Sequence, residues 1–383
     1  MKKTMLSLLC LLVALLLSAM IGACQPAPAG EADAQAAPVA HAANAESLGW
    51  GELVTDTTPY AIYRQSFSYA APFLVTDLRE DEGYAIHSNK ESYDLHQLSV
   101  YRAHDGQSFL TGQLVVFFIH GGAWTDGYRD WYDGVSHSFT GSQGWTLVVI
   151  DYRLASDEVF LADAYCPDRR TCNLPANRVR RTKAAGYPDN FEDVAAAFRW
   201  TVENIGVTGG DPQKIVVFGH SAGAHLAALL ATHPDTAELR PSIQGLALVS
   251  GLYKLDAPGG MLLYAPVLEK VFGFPYTSAM LAEASPLSYL SAGLDLPPLL
   301  IASAEDELPR LPEQTAALTS ALQAQQIPFQ LEYFAGYSHF GEMAAIRDTK
   351  SLPAQTLIAF IDETAGCRCN PDLPVVDANA SEQ

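Results

Sequence analysis

"FGHSAGAHLAALLA" occupies residues 218–231, and an apolar run, Ile215-Val216-Val217-Phe218, leads into it. The stretch therefore reads as a buried strand, a sharp turn, and an alanine- and leucine-rich helix. Ser221 sits at the junction between Gly219 and Gly223. A serine on so tight a strand-to-helix turn is thrust out of the backbone. Residues two positions away on either side must be small, or their side chains would strike the turn. The helix starts immediately after, so its N-terminal amides and dipole favour negative charge beside the serine oxygen. The plainer alternative, a serine that merely caps a helix, does not explain both glycines.

The surrounding pattern alternates strands and helices. "LHQLSVYRA" (95–103) alternates and reads as an edge strand, whereas "LVVFFIHGG" (114–122), "TLVVIDY" (146–152) and "KIVVFG" (214–219) are continuous apolar runs. "GLALVSG" (245–251), "PPLLIAS" (297–303) and "FQLEYFAG" (329–336) are further strands. Helices are expected over 189–205, 222–233, 312–325 and 352–365. "MLLYAPVLEKVFGFPY" (261–276) fits a cap helix near the site or a plain surface helix. Buried strands alternating with helices predict an α/β fold, with a mostly parallel central sheet covered by helices on both faces.

A lone hydroxyl is a weak nucleophile and needs a base, itself oriented by a third group. His233 and His339, both downstream of the serine, are weighed as the base. His233 falls late on the helix after the serine, towards the wrong end of the sheet. His339, in "FAGYSHFGE" after the last strand, is the expected base. "IASAEDELP" offers Glu305, Asp306 and Glu307 beyond another strand, although three adjacent acids also suit a solvated loop. Oxyanion donors are expected from the amide of Ala222 and from "HGGAW" (120–124), whose glycines let backbone approach a substrate closely. There the amides of Gly122 and Ala123 are assigned, with Gly121 shaping the turn. Trp124, Tyr128, Trp131 and Tyr132 follow. They suit either an acyl or aromatic pocket, with Trp124 touching substrate, or packing beneath an insertion.

"HGGAW", "VVIDYRLA", "GGDPQKIVVFGHSAGAHLAAL", "SPLSYL", "SAEDELP" and "YSHF" occur in this order. Together they resemble α/β-hydrolase esterases of the hormone-sensitive-lipase-like type, closest in wording to the kynurenine formamidase-like and carboxylesterase branch. Gly-His-Ser-Ala-Gly matches the nucleophile elbow of that fold. The resemblance covers about residues 95–365. It implies an α/β-hydrolase fold with a small cap, and an acid placed between serine and histidine in chain order. Strand-end turns of the fold select Asp306 as that acid, with Glu305 the alternative. It further implies a serine esterase acting on short to medium acyl or aryl esters through an acyl-enzyme, with no metal or organic cofactor. His220 stands where the lipase-like sequences usually have Asp, and Lys254 where formamidase-like sequences often have Asp. The second departure favours an ester over the alternative substrate, an N-formyl aryl amide. A catalytically silent binding module on this fold would lack serine, base or acid; none is missing.

The chain has 383 residues, 49% hydrophobic and 17% charged, a globular composition. A net charge of −20 argues against a nucleic-acid partner, because phosphates would be repelled. Met1-Lys2-Lys3, an apolar run to Met20 and "IGAC" (21–24) form an export signal over 1–23. Cys24 after Ile-Gly-Ala resembles a bacterial lipobox, which implies lipid on Cys24 and a membrane-anchored exported protein; an ordinary signal peptide is the alternative. An Ala/Pro-rich tether (24–48) follows, then the catalytic domain (49–366) and a tail (367–383). Cys166, Cys172, Cys367 and Cys369 remain for disulfides, in any of three pairings. Residues 156–186 carry two of these cysteines and form an insertion that suits a lid, a rim or a plain surface excursion.

Overall fold

Nine strands join in one sheet, and its carboxyl edge carries the candidate site. They are β1 (Glu52–Thr55), β2 (Ala61–Ser68), β3 (Gln97–His104), β4 (Gln113–Ile119), β5 (Thr146–Ile150), β6 (Gly210–His220), β7 (Ile243–Val249), β8 (Leu299–Asp306) and β9 (Gln330–Ser338). The spatial order is β1-β2-β3-β5-β4-β6-β7-β8-β9. From β5 to β9 every neighbouring pair is parallel, while β1, β2 and β3 are antiparallel. The helices are α1 (Asp189–Asn204), α2 (Ala222–Thr232), α3 (Ala265–Phe272), α4 (Ser278–Glu283), α5 (Leu311–Ala324), α6 (Gly341–Ala345) and α7 (Leu352–Ala365). This computed structural model describes residues 50–365 except 57–58, 76–92, 157, 161–177, 181–183, 257–263 and 292. The expected signal, Cys24, the tether, the four remaining cysteines, the tail and most of the insertion lie outside the described residues. Among the described residues no helix is long and apolar enough to cross a membrane.

Strand periodicity explains the two-sided core. In β4, Val115, Phe117 and Ile119 face one layer and Val116 and Phe118 the other, all fully buried. The first layer is covered by α1, α2 and α5, the second by α7 through Leu357, Phe360 and Ile361. Helix α2 is buried along its whole length, so its small and aliphatic residues are what let it lie flat on the sheet. Each buried leucine of that helix contributes roughly 1.5–3 kcal/mol.

One strand expectation needs correction. Gln97–His104 is not an edge: it pairs with β2 on one side and β5 on the other and is buried over nearly its whole length. Two N-terminal strands, β1 and β2, extend the sheet beyond it. The short ribbon Glu158–Phe160 with Arg178–Arg180 belongs to the insertion. The insertion's exit rests on α3, because Tyr187 N–H donates to Val271 at 2.9 Å.

Candidate active site

The elbow forms as its residues dictate. Ser221 has φ 56° and ψ −120°, a left-handed backbone that a non-glycine residue adopts only where its surroundings enforce it. Two hydrogen bonds do so: Ser221 N–H donates to Val249 at 2.9 Å, and His225 N–H donates to Ser221 at 3.1 Å. A Cβ on Gly219 would meet the Gly223 carbonyl oxygen at 2.4 Å, and one on Gly223 would meet the Ile119 carbonyl oxygen at 2.0 Å. The two glycines therefore permit the turn to close on itself and α2 to press against the end of β4.

His339 follows β9 and its ring meets the serine. The Ser221 hydroxyl donates to His339 Nε2 at 3.1 Å. On the far side of the ring, Nδ1–H donates to Glu307 Oε2 at 2.8 Å. The side chains of His339 and Glu307 are only 2% and 1% exposed, so water does not compete for these bonds.

The carboxylate that meets the ring is thus Glu307, and the expectation that Asp306, or alternatively Glu305, stands there is corrected. Strand β8 runs three residues further than its apolar core suggests, through Asp306. Asp306 is consequently a strand residue paired with Ser338. Its backbone carbonyl accepts from His339 N–H at 3.0 Å, and its side chain faces solvent. Glu305 is also exposed and accepts from Gly336 N–H at 2.6 Å. Only Glu307, the first residue beyond the strand, turns inward. Its Oε1 accepts from Ala304 N–H at 3.2 Å and the Ser303 hydroxyl at 3.4 Å, and Oε2 accepts from Leu308 N–H at 3.2 Å as well as from His339. No pattern in "AEDELP" marks which of three adjacent acids does this.

The protonation states suit proton abstraction. Burial pushes the His339 imidazole below the usual histidine value, and the nearby His220 adds to this against the opposing pull of Glu307. Burial would raise the Glu307 carboxyl, but the hydrogen bond and charge of His339 and the Ser250 hydroxyl hold it below the usual glutamate value. The resting pair is therefore carboxylate and neutral imidazole. Activity is expected to fall on acidification with an apparent pKa below 6.5, the ordinary histidine value. The sign follows from the base: only neutral imidazole accepts the serine proton, so rates are full above this limb and lost below it. A pH series of kcat/KM checks this; a limb above the ordinary value would contradict the neutral, buried ring.

The expected oxyanion loop lies against the elbow. Gly121 packs so closely that an added Cβ would stand 3.1 Å from Ser221 Cβ and 3.0 Å from the His220 carbonyl oxygen. Ala123 and Trp124 both have positive φ, 53° and 58°, a strained turn of the kind that clusters at functional sites. Gly122 is exposed and Ala123 half-buried at this edge, while Ala222 opens α2 directly after Ser221.

A model of the α/β-hydrolase fold matches residues 180–341. Esterase B from Lactobacillus rhamnosis superposes with a TM-score of 0.56 at 18% identity, covering 80% of this chain and 87% of that one. The chain has the α/β-hydrolase fold. It is similar to the "Probable carboxylic ester hydrolase LipM" of Mycobacterium tuberculosis, 32% identical over 210 residues, which are 50% of this chain and 41% of that protein. It is 34% identical over 148 residues to Esterase LipQ of the same organism, 36% of this chain and 34% of the relative. The chain therefore spans less than half the length of these two curated relatives.

Within this fold Trp124 is buried rather than presented at the surface. It is 2% exposed, and its indole N–H donates to His225 Nδ1 at 3.1 Å. His225 Nε2–H in turn donates to the Ala284 carbonyl at 2.7 Å, just beyond α4. Trp124 thus ties the expected oxyanion loop through α2 to the segment just after α4. Tyr128 is also buried, and Tyr132 stacks on His120 with ring centroids 5.7 Å apart. These aromatics are packing: Trp124 and Tyr128 belong to the first core layer with Trp131 against it, and Tyr132 lies against the second. Among the described residues, His220, His339 and Glu342 bring ligand-capable atoms within 4.8 Å of one another. Both ring nitrogens of His339 are already engaged by Ser221 and Glu307.

His225 also predicts acid sensitivity. Burial lowers its pKa from 6.5 to about 4, against a smaller opposing effect of the Ala284 hydrogen bond. The unfolded chain takes up this proton first. Stability is then full above the ordinary value and is lost as pH falls towards about 4. The loss attributable to this ring is up to ~3 kcal/mol. In His225→Gln, the urea midpoint should decline less steeply over that window; parallel curves for variant and parent would refute the assignment.

Proposed function

We propose that the chain hydrolyses carboxylic esters of small molecules by a serine mechanism with an acyl-enzyme intermediate. One observation carries this reading: Ser221 Oγ, His339 and Glu307 stand in line at 3.1 Å and 2.8 Å on a strained elbow. The names of similar proteins, among them a carboxylic ester hydrolase and an esterase, support the same substrate class.

In the first half-reaction His339 Nε2 takes the Ser221 proton while Oγ attacks the ester carbonyl. Glu307 holds the ring in the tautomer that leaves Nε2 free to accept, and stabilises the imidazolium that forms. The amides of Ala222, Gly122 and Ala123 receive the negative oxygen of the tetrahedral intermediate. The alcohol leaves with the proton from His339. Water then attacks the acyl group, giving its proton to His339, and Ser221 is regenerated with release of the acid. Short to medium acyl or aryl esters suit this site. The experiment is labelling with a fluorophosphonate probe followed by peptide mapping, beside a series of p-nitrophenyl esters of rising chain length. Stoichiometric modification at Ser221 supports the reading, and an unlabelled, inactive protein would overturn it.

A further inference from the structure

We propose that Glu342 is a positioning residue for the base, acting on His339 through His220 and on Glu307 through Ser250; this rests on the serine-esterase reading above. Glu342 lies one turn past His339, in α6, and is completely buried. Its Oε1 accepts from the Ser250 hydroxyl at 2.5 Å. The same hydroxyl also helps hold the Glu307 carboxyl below its usual value, so its one hydrogen serves Glu342 or, alternatively, Glu307. His220 Nε2–H stands 3.3 Å from Glu342 Oε1 and donates to the His339 backbone carbonyl at 3.0 Å. The rings of His220 and His339 are 4.7 Å apart.

Fold stability does not account for this carboxylate. Its second oxygen, Oε2, is buried with no hydrogen-bond partner. A buried carboxylate satisfied on one side only is worse for the fold than an apolar side chain of similar size. Ser250 itself sits at φ 51°, a second strained position directly beside the elbow strand. The strained serine, the half-satisfied acid and the histidine inside the G-x-S-x-G motif converge on the base that takes the serine proton and the acid that orients it. Glu342 therefore fixes the backbone of the base from behind, while Ser250 links it to the orienting acid.

The test uses the full chain with Glu342→Gln, which keeps volume and one acceptor oxygen, and Glu342→Ala. The groups facing the His339 ring are Glu307 after β8, Glu342 in α6 and His220 at the end of β6, with Tyr253 and Tyr264 near Glu307. The charge of Glu342 favours the imidazolium, so its removal should shift the acid limb to lower pH. For Glu342→Gln we expect kcat reduced about ten- to a hundredfold, KM within about threefold, and that limb displaced downward. A Gln variant with unchanged kcat and an unmoved limb would overturn the proposal. So would a variant that loses thermal stability and activity together while its limb stays put. If Glu342→Ala does not fold, the Gln variant decides alone. Ser221→Ala in the same assay separates the two levels: an active Ser221→Ala sinks the esterase reading, whereas an inactive one beside a wild-type-like Glu342→Gln sinks only this inference.

Discussion

Ser221→Ala is expected to lower kcat for a p-nitrophenyl ester by on the order of 10⁵–10⁶-fold while the protein stays folded. The side chain is 8% exposed at the carboxyl edge of the sheet, and alanine removes one oxygen without disturbing packing. The backbone bonds that hold the elbow, to Val249 and from His225, do not involve that oxygen. Only the nucleophile disappears, so the remaining rate should be what the oxyanion amides and binding supply alone. KM should stay close to the parent value. Loss of less than about tenfold, with contaminating esterase excluded by a second preparation, would mean that another group attacks the substrate.

The second large effect separates two neighbouring acids. Glu307→Gln is expected to lower kcat by about 10³–10⁴-fold, and Asp306→Asn to leave it within about threefold. Glutamine at position 307 keeps the length of the side chain but can present its amide to Nδ1, which turns the imidazole to the wrong tautomer. Asp306 contributes its carbonyl to His339, at 3.0 Å, and asparagine preserves that bond. Glu307→Asp is informative as well, since the shortened side chain withdraws the carboxylate from the 2.8 Å contact. If Asp306→Asn were the damaging change, the inward turn of Glu307 would have no catalytic meaning.

These variants also mark where residues alone stop deciding. The buried strands β4 to β8 and helices α1, α2, α5 and α7 were legible from apolar runs and helical spacing, and α7 at Leu352–Ala365 matches its expected span. Strands β1 and β2 were not, because Glu52–Thr55 is largely exposed and Ala61–Ser68 is buried only at its start. Without them Gln97–His104 looked like an edge. Trp124 near the elbow read as equally suited to a pocket or to packing, since an aromatic has the same composition in either place. Its bond to His225 is a contact 101 positions away in sequence, beyond any local signal.

Ser221 and its two glycines were determined by the sequence by itself, because a tight turn imposes its needs on residues within two positions. His339 was likewise determined, since of the histidines downstream of Ser221 it alone follows the last strand, whereas His225 and His233 lie on and at the end of the elbow helix. Which of Glu305, Asp306 and Glu307 meets the ring was decided by tertiary structure. The strand runs to Asp306 and leaves Glu305 and Asp306 both exposed, so the inward acid is the one where the chain leaves the strand, at Glu307. The assembly of Ser250, Glu342 and His220 around the base was decided there too. Those three come from the ends of β7 and β6 and from α6, and only the parallel sheet brings their ends together.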